Sequence, residues 1–182
     1  MVDGFVGLDV FETGIVGVHF FSPLFFWGGV RIFLIQTYAI TDTWYYDSTT
    51  HNWGSSEQTI NKNIDLPSVP FKIKFKINKQ NYNSCFSYLY IGSSSSTYRV
   101  GDVSSGSGIM IYSDYNSQTL TSNIKPSLNT DVEVVYTYDT GVHTISANGT
   151  TLTATDTNIS MDKLVKITGK ANVLKDLMIL PL

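Results

Sequence analysis

Glutamate, cysteine and early basic residues are what this sequence has least of. There are three Glu in 182 residues (Glu12, Glu57 and Glu133) and one cysteine, Cys85. A single thiol excludes an intramolecular disulfide framework and any multi-cysteine zinc site. Charged residues make up 15% of the chain, against about 25% in ordinary soluble domains. A net charge of −3 supplies no electrostatic basis for nucleic-acid binding. No Lys or Arg precedes Arg31, so the opening "MVDGFVGLDVFETG" lacks the basic start of a secretory signal. An unbroken apolar run of about 20 residues is missing too. The best candidate, "VHFFSPLFFWGGVRIFLIQTYAI", contains Ser22-Pro23, Gly28-Gly29, Arg31 and Gln36. An arginine near the middle of such a segment costs about 2.5 kcal/mol or more in lipid. Runs of Ala, Leu, Glu and Lys are absent as well, so helical propensity is poor.

What is present points to strands. Aromatic residues make up 13%, with eleven Tyr and ten Phe, and these fit pleated, half-buried surfaces. Residues 1–40 read as short strands, "GVHFF", "LFFW" and "VRIFLIQTYAI", separated by turn residues. Strands apolar on both faces need cover on both sides. Three readings stay open: an assembly segment buried against other copies or a host structure, the first strand pair of a larger sandwich, and a membrane anchor. On the assembly reading, Phe20, Phe21, Phe25, Phe26 and Trp27 are the expected contacts with the oligomer or particle.

Residues 41–182 show short strands at regular spacing. In "PFKIKFKIN", Phe71, Ile73, Phe75 and Ile77 alternate with Lys72, Lys74 and Lys76, the period of a half-buried strand. The lysine row reads as an exposed face or as protection of a sheet edge. Val132, Val134, Tyr136 and Tyr138 alternate likewise. So do Val173, Lys175, Leu177 and Ile179 against Leu174, Asp176, Met178 and Leu180. Asn148-Gly149, between "VHTISA" and "TTLTAT", is a strong hairpin signal. The expected fold is all-β: an antiparallel two-sheet sandwich of the jelly-roll kind with a β-rich N-terminal extension.

The order "DLPSVPFKIKFKI", "SYLYIG", "DVEVVYTYDTGVHTISANGTTLTAT" and "VLKDLMILPL" resembles the concanavalin A-like lectin/glucanase (laminin-G-like) sandwich. It looks most like the versions found in tail or head proteins of phages and archaeal viruses. The likeness runs from about Ile40 to Leu182 and rests on pattern; the first forty residues fall outside it. It implies a lectin-like module displayed on a virion, as a tail fibre, head fibre or decoration protein. It also implies a homo-oligomer, with a trimer favoured, and other virion proteins as partners. The glucanases of that superfamily use paired carboxylates in a Glu-x-Asp-x-x-Glu strand. Here Glu133 has Asp131 two residues earlier and no second Glu after it, so no catalytic residue is assigned and the protein is expected not to be an enzyme. Some members hold Ca²⁺ through loop carboxylates; Asp102 and Asp114, flanking a Ser/Gly loop, are the matching positions. No other cofactor or metal is expected.

His19, His51 and His143 are isolated from each other and from any ligand spacing, and Cys85 reads as a buried, inert thiol. Sugar recognition needs aromatic faces for C–H surfaces and polar groups for hydroxyls. "TWYYDSTTHNW", "NYNSCFSY" and "YSDYN" supply both. The candidate sugar contacts are Trp44, Tyr82, Tyr98 and Tyr115, with Asn81, Asn83, Asp114 and Asn116 as polar partners. The combined expectation is a non-enzymatic viral structural protein whose sandwich contacts a host-surface glycan. A free or membrane-anchored carbohydrate-binding module is the alternative.

Overall fold

The computed structural model describes residues 43–182 except 94, 105–107 and 122–123, and, of the segment before them, the backbone of three strands. The chain divides into two compact units, Met1–Thr43 and Trp44–Leu182. In the first, β1 (Val6–Val10), β2 (Val16–Pro23) and β3 (Phe33–Ile35) form an antiparallel sheet in that order. Phe25, Phe26 and Trp27 lie outside the described residues, and Phe20 and Phe21 are described only as backbone within β2.

The second unit contains β4 (Tyr45–Asp47), β5 (His51–Asn52), β6 (Gln58–Asp65), β7 (Phe71–Lys79) and β8 (Phe86–Gly92). It continues with β9 (Thr97–Ser104), β10 (Gly108–Ser113), β11 (Gln118–Thr119) and β12 (Asp131–Asp139). The last four strands are β13 (Val142–Ala147), β14 (Thr150–Thr155), β15 (Lys163–Lys170) and β16 (Asn172–Pro181). A six-stranded sheet runs β11-β10-β9-β8-β15-β6, and a seven-stranded sheet runs β14-β13-β12-β7-β16-β4 with β5 also on β16. All pairings between these strands are antiparallel. The expected all-β two-sheet sandwich is therefore the fold observed, with no helix among the described residues.

Alternation explains which side of each sheet faces the core. In β7, Phe71, Ile73, Phe75 and Ile77 are buried, and in β12 so are Val132, Val134, Tyr136 and Tyr138. The facing sheet contributes Leu89 and Ile91 from β8, Tyr98 and Val100 from β9, and Ile109 and Ile111 from β10. Trp53 packs directly over Gly169, where an added Cβ would lie 2.2 Å from the indole; only glycine permits that approach. The β13–β14 turn has Asn148 at φ 51° and Gly149 at φ 77°, both positive as a type I′ hairpin requires.

Two expectations need correction. The β16 alternation does not run through, because a bulge lies between Lys175 and Met178 with Asp176 at φ 54°. The extra residue shifts the inward face from Leu174 to Leu177 and Ile179. The lysine row does not protect an edge either: β7 lies inside its sheet, between β12 and β16. Lys74 and Lys76 instead form ion pairs on the outer face, with Glu133 at 3.2 Å and Asp176 at 2.9 Å.

Candidate functional site: the outer face of the six-stranded sheet

Because side chains alternate, the residues that leave the core along β8, β9 and β10 meet on the outer face of the sheet. Register places Thr119, Tyr112, Arg99, Tyr90, Lys166 and Asn61 opposite one another on six successive strands. This is one continuous row across the whole sheet. With about 4.8 Å between strands, it spans on the order of 24 Å, the length of several linked sugar rings. A second row holds Met110, Tyr88, Thr168 and Thr59, with Gly101 between Met110 and Tyr88.

The rings interact with one another and with cations. Phe86 stacks on Tyr88 at 5.2 Å between centroids, and Tyr88 meets Tyr90 edge-on at 5.3 Å. The Arg99 guanidinium lies 5.2 Å from the Tyr112 ring, 5.5 Å from Tyr90 and 5.8 Å from Tyr88. The Lys166 ammonium lies 4.1 Å from the Tyr90 ring. These distances are within the range of cation–π attraction. Within this face Val103, Met110 and Tyr88 form a small buried apolar cluster, with Phe86, Tyr90 and Tyr112 half-buried around it.

Asp114 fixes the arginine. Its Oδ1 pairs with Arg99 Nη2 at 2.7 Å, and its Oδ2 accepts the Thr97 hydroxyl at 2.8 Å. Burial works against the Arg99 charge, but Asp114 and the tyrosines around it raise its pKa further above the usual value. Burial, followed by the neighbouring Tyr90 hydroxyl, pushes the Tyr88 phenol up, so it stays protonated at neutral pH. The face therefore presents aromatic surface, an arginine held by Asp114, a lysine against the Tyr90 ring, and the exposed Asn61, Thr59 and Thr119 side chains. Flat apolar ring faces beside hydroxyl-binding groups are what a pyranose or furanose ring needs.

Of the residues picked from sequence, only Asp114 joins this cluster. Tyr115 and Asn116 occupy the turn after β10, and Tyr115 is 61% exposed. Asn81, Tyr82 and Asn83 lie between β7 and β8, where the Tyr82 hydroxyl donates to the Pro126 carbonyl at 3.0 Å. Register puts those two segments at opposite ends of the sheet: Asp114 N–H bonds the Thr97 carbonyl at the start of β9, whereas Phe86 pairs with Lys170 at the other end. Trp44 is 56% exposed beside β4, and its indole N–H donates to the Asp65 carbonyl at 3.2 Å. The three aromatic stretches do not converge.

Tyr98 is a correction. It is 0% exposed and packs edge-on against His143 at 4.5 Å, so no sugar reaches its ring. Asp102 is another. It is a core residue paired with Lys79, not a loop carboxylate available to Ca²⁺. His143 is buried, accepting the Tyr136 hydroxyl at Nδ1 (2.8 Å) and donating from Nε2 to the Asp156 carbonyl (2.9 Å). That tautomer is neutral, and burial lowers the His143 pKa. Cys85 is buried, and its thiol donates to Asn81 Oδ1 at 3.1 Å. Among the described residues no cluster of three or more His, Cys, Asp or Glu side chains suits a metal ion, and no helix is long and apolar enough to cross a membrane.

No protein-family model matches the chain, and no curated protein does. Solved structures do match. Domain 4 of the extracellular arabinanase AbnA from Geobacillus stearothermophilus, in complex with arabinotriose, aligns with a TM-score of 0.51 and 10% identity over 65% of this chain and 64% of that one. The β-fructofuranosidase of Schwanniomyces occidentalis, complexed with fructosyl-erythritol, aligns with a TM-score of 0.53 and 10% identity over 91% of this chain and 39% of that one. The chain thus spans less than two thirds of the length of either. Galectin LEC-6 of Caenorhabditis elegans aligns at a TM-score of 0.48 and 8% identity, over 71% of this chain and 94% of the galectin. The viral setting, the trimer and the virion partners are not part of what these likenesses show. The first two show the fold alone, an antiparallel two-sheet β-sandwich.

Proposed function

We propose that this chain is a non-enzymatic carbohydrate-binding module that seats a saccharide along the outer face of its six-stranded sheet. The observation that carries this reading is the cross-strand row Tyr112–Arg99–Tyr90–Lys166, aromatic and cationic side chains in alternation with the arginine held by Asp114. Sugar C–H faces stack on Tyr90 and Tyr112. Arg99, Lys166 and Asn61 donate to ring and hydroxyl oxygens, and Asn61 and Thr119 also accept from hydroxyls. Such a site binds through many weak contacts over a preformed surface and places no nucleophile or general acid against the ligand. The arabinotriose complex of the arabinanase domain makes a short arabino-oligosaccharide one sensible probe within a broad set.

Glycan-array screening of the full chain, followed by calorimetry on the best ligand, tests the proposal. Binding that is lost in Tyr90→Ala and kept in Tyr115→Ala supports this face. Binding that is lost in Tyr115→Ala and kept in Tyr90→Ala moves the site to the turn after β10.

A further inference from the structure

The inward face of β7 runs Phe71, Ile73, Phe75 and Ile77, and the next inward position is Lys79, which is 0% exposed. Its ammonium donates to Asp102 Oδ2 at 2.5 Å and to the Cys85 carbonyl at 2.8 Å. Asp102 comes from β9 of the facing sheet and is also 0% exposed. The same Oδ2 accepts the amide N–H of Asn172 at 3.3 Å. Asn172 is 2% exposed and is the direct β16 partner of Lys79, so the two side chains rise next to each other into the core. Its Oδ1 accepts the Val173 N–H at 2.8 Å. Asp102 Oδ1 has no hydrogen-bond partner, and neither does the hydroxyl of Ser87, its cross-strand neighbour. A primary amine, a primary amide and a carboxyl group thus converge in a site closed to solvent. Taking a full ion pair out of water is unfavourable unless every polar atom is satisfied, and here one is not.

We propose that Lys79 and Asn172 become joined by an isopeptide bond that the folded chain forms by itself, with Asp102 as the proton-transfer catalyst. Asp102 first takes a proton from the Lys79 ammonium, leaving a neutral amine beside a neutral acid. Burial makes the Asp102 carboxylate a stronger base for this step: it pushes the carboxyl up to about 6 despite the opposing pull of Lys79. The Nζ lone pair then attacks Cγ of Asn172, and the carbonyl π electrons move to Oδ1, where the Val173 N–H meets the developing charge. Asp102 gives its proton to Nδ2, the carbonyl re-forms, and the Cγ–Nδ2 bond breaks with its electron pair leaving on nitrogen. Nζ returns one proton to Asp102. The products are a secondary amide, ammonia and protonated Asp102, so atoms and charge balance with no outside reactant. The bond ties β7, in the middle of its sheet, to the last strand β16, and replaces a buried cation with a neutral amide.

High-resolution mass measurement of the purified full chain under denaturing conditions tests this directly. The expected mass lies about 17 Da below that of the sequence, one ammonia lost to the lysine nucleophile. A digest should contain one branched peptide that joins the Lys79 and Asn172 segments and resists trypsin at Lys79. Asp102→Asn and Asn172→Ala should each show the full mass of their own sequence. A wild-type chain at full sequence mass with no branched peptide overturns the proposal. So does a loss of water with Lys79 joined to Asp102. Should either variant fail to fold, the wild-type mass and the branched peptide still decide the matter.

Discussion

The two outer faces of the sandwich are built from the same alternating pattern and end up chemically opposite. On the seven-stranded sheet, Lys74 meets Glu133, Lys76 meets Asp176 and Lys175 meets Asp131 at 2.6 Å. Alongside them runs a hydroxyl ladder, Thr144 to Thr153 at 3.4 Å and Ser146 to Thr151 at 2.7 Å. These three lysines each have a partner of opposite sign within the sheet, and no aromatic ring takes part in the pairing. On the six-stranded sheet, tyrosines surround Arg99, which Asp114 pairs, while Lys166 lies against the Tyr90 ring. That face holds apolar ring surface at the water boundary, which is where a ligand gains most from displacing water. Ion pairing thus finishes one sheet surface, whereas the other carries aromatic–cation packing, the feature on which the proposed saccharide site rests.

The largest expected effect separates the two faces. Tyr90→Ala and Tyr112→Ala together should weaken saccharide binding at least tenfold, about 1.4 kcal/mol, while Lys74→Ala leaves it unchanged; calorimetry reads both. Next comes the His143 link between the sheets, where Tyr98 of one packs against His143 of the other. Tyr136→Phe leaves Nδ1 of His143 buried without a donor and should lower stability by about 1–3 kcal/mol, measured by denaturant unfolding. The same group sets an acid sensitivity. Its folded pKa is lowered by burial, so below about pH 6.5, the ordinary histidine value, the unfolded chain binds the extra proton. Stability should then fall as pH drops through that range, until the folded pKa is passed, and a His143→Gln variant should show less of this slope. Arg99→Gln removes the Asp114 ion pair and the cation from the tyrosine cluster; a loss of about 1 kcal/mol in stability and a several-fold loss in affinity are expected. Smallest is Glu133→Gln on the ionic face, which should change stability by no more than about 0.5 kcal/mol.

Much of the fold was legible because β7, β12 and the Asn148-Gly149 hairpin are local patterns. Alternating apolar residues settle a strand's faces, and a two-residue turn settles a register, without reference to the rest of the chain. The bulge at Asp176 was not legible, since an extra residue in β16 changes no composition and only its pairing with β7 reveals it. Tyr98 was misjudged for a related reason. In "TYRVGDV" nothing local says which of Tyr98 and Arg99 faces inward, and only the burial of Val100 and Asp102 shows that the tyrosine belongs to the inward set. The cross-strand row on the outer face is not legible in the sequence, because its members come from six strands and meet only through register. A signal was available in "SYLYIG", where Tyr88 and Tyr90 sit two residues apart on the side opposite Leu89 and Ile91. Lys79, Asp102 and Asn172 are unremarkable one by one, and their meeting is a product of topology alone.

The most direct test of the central claim is a glycan-array comparison of the full chain with its Tyr90→Ala/Tyr112→Ala and Lys74→Ala/Glu133→Gln variants, each checked for an intact sandwich by circular dichroism. The wild-type chain should retain at least one saccharide class, the tyrosine variant should lose it, and the ionic-face variant should keep it. Saccharide binding untouched by the tyrosine substitutions, or no saccharide retained by the wild-type chain, would contradict the claim.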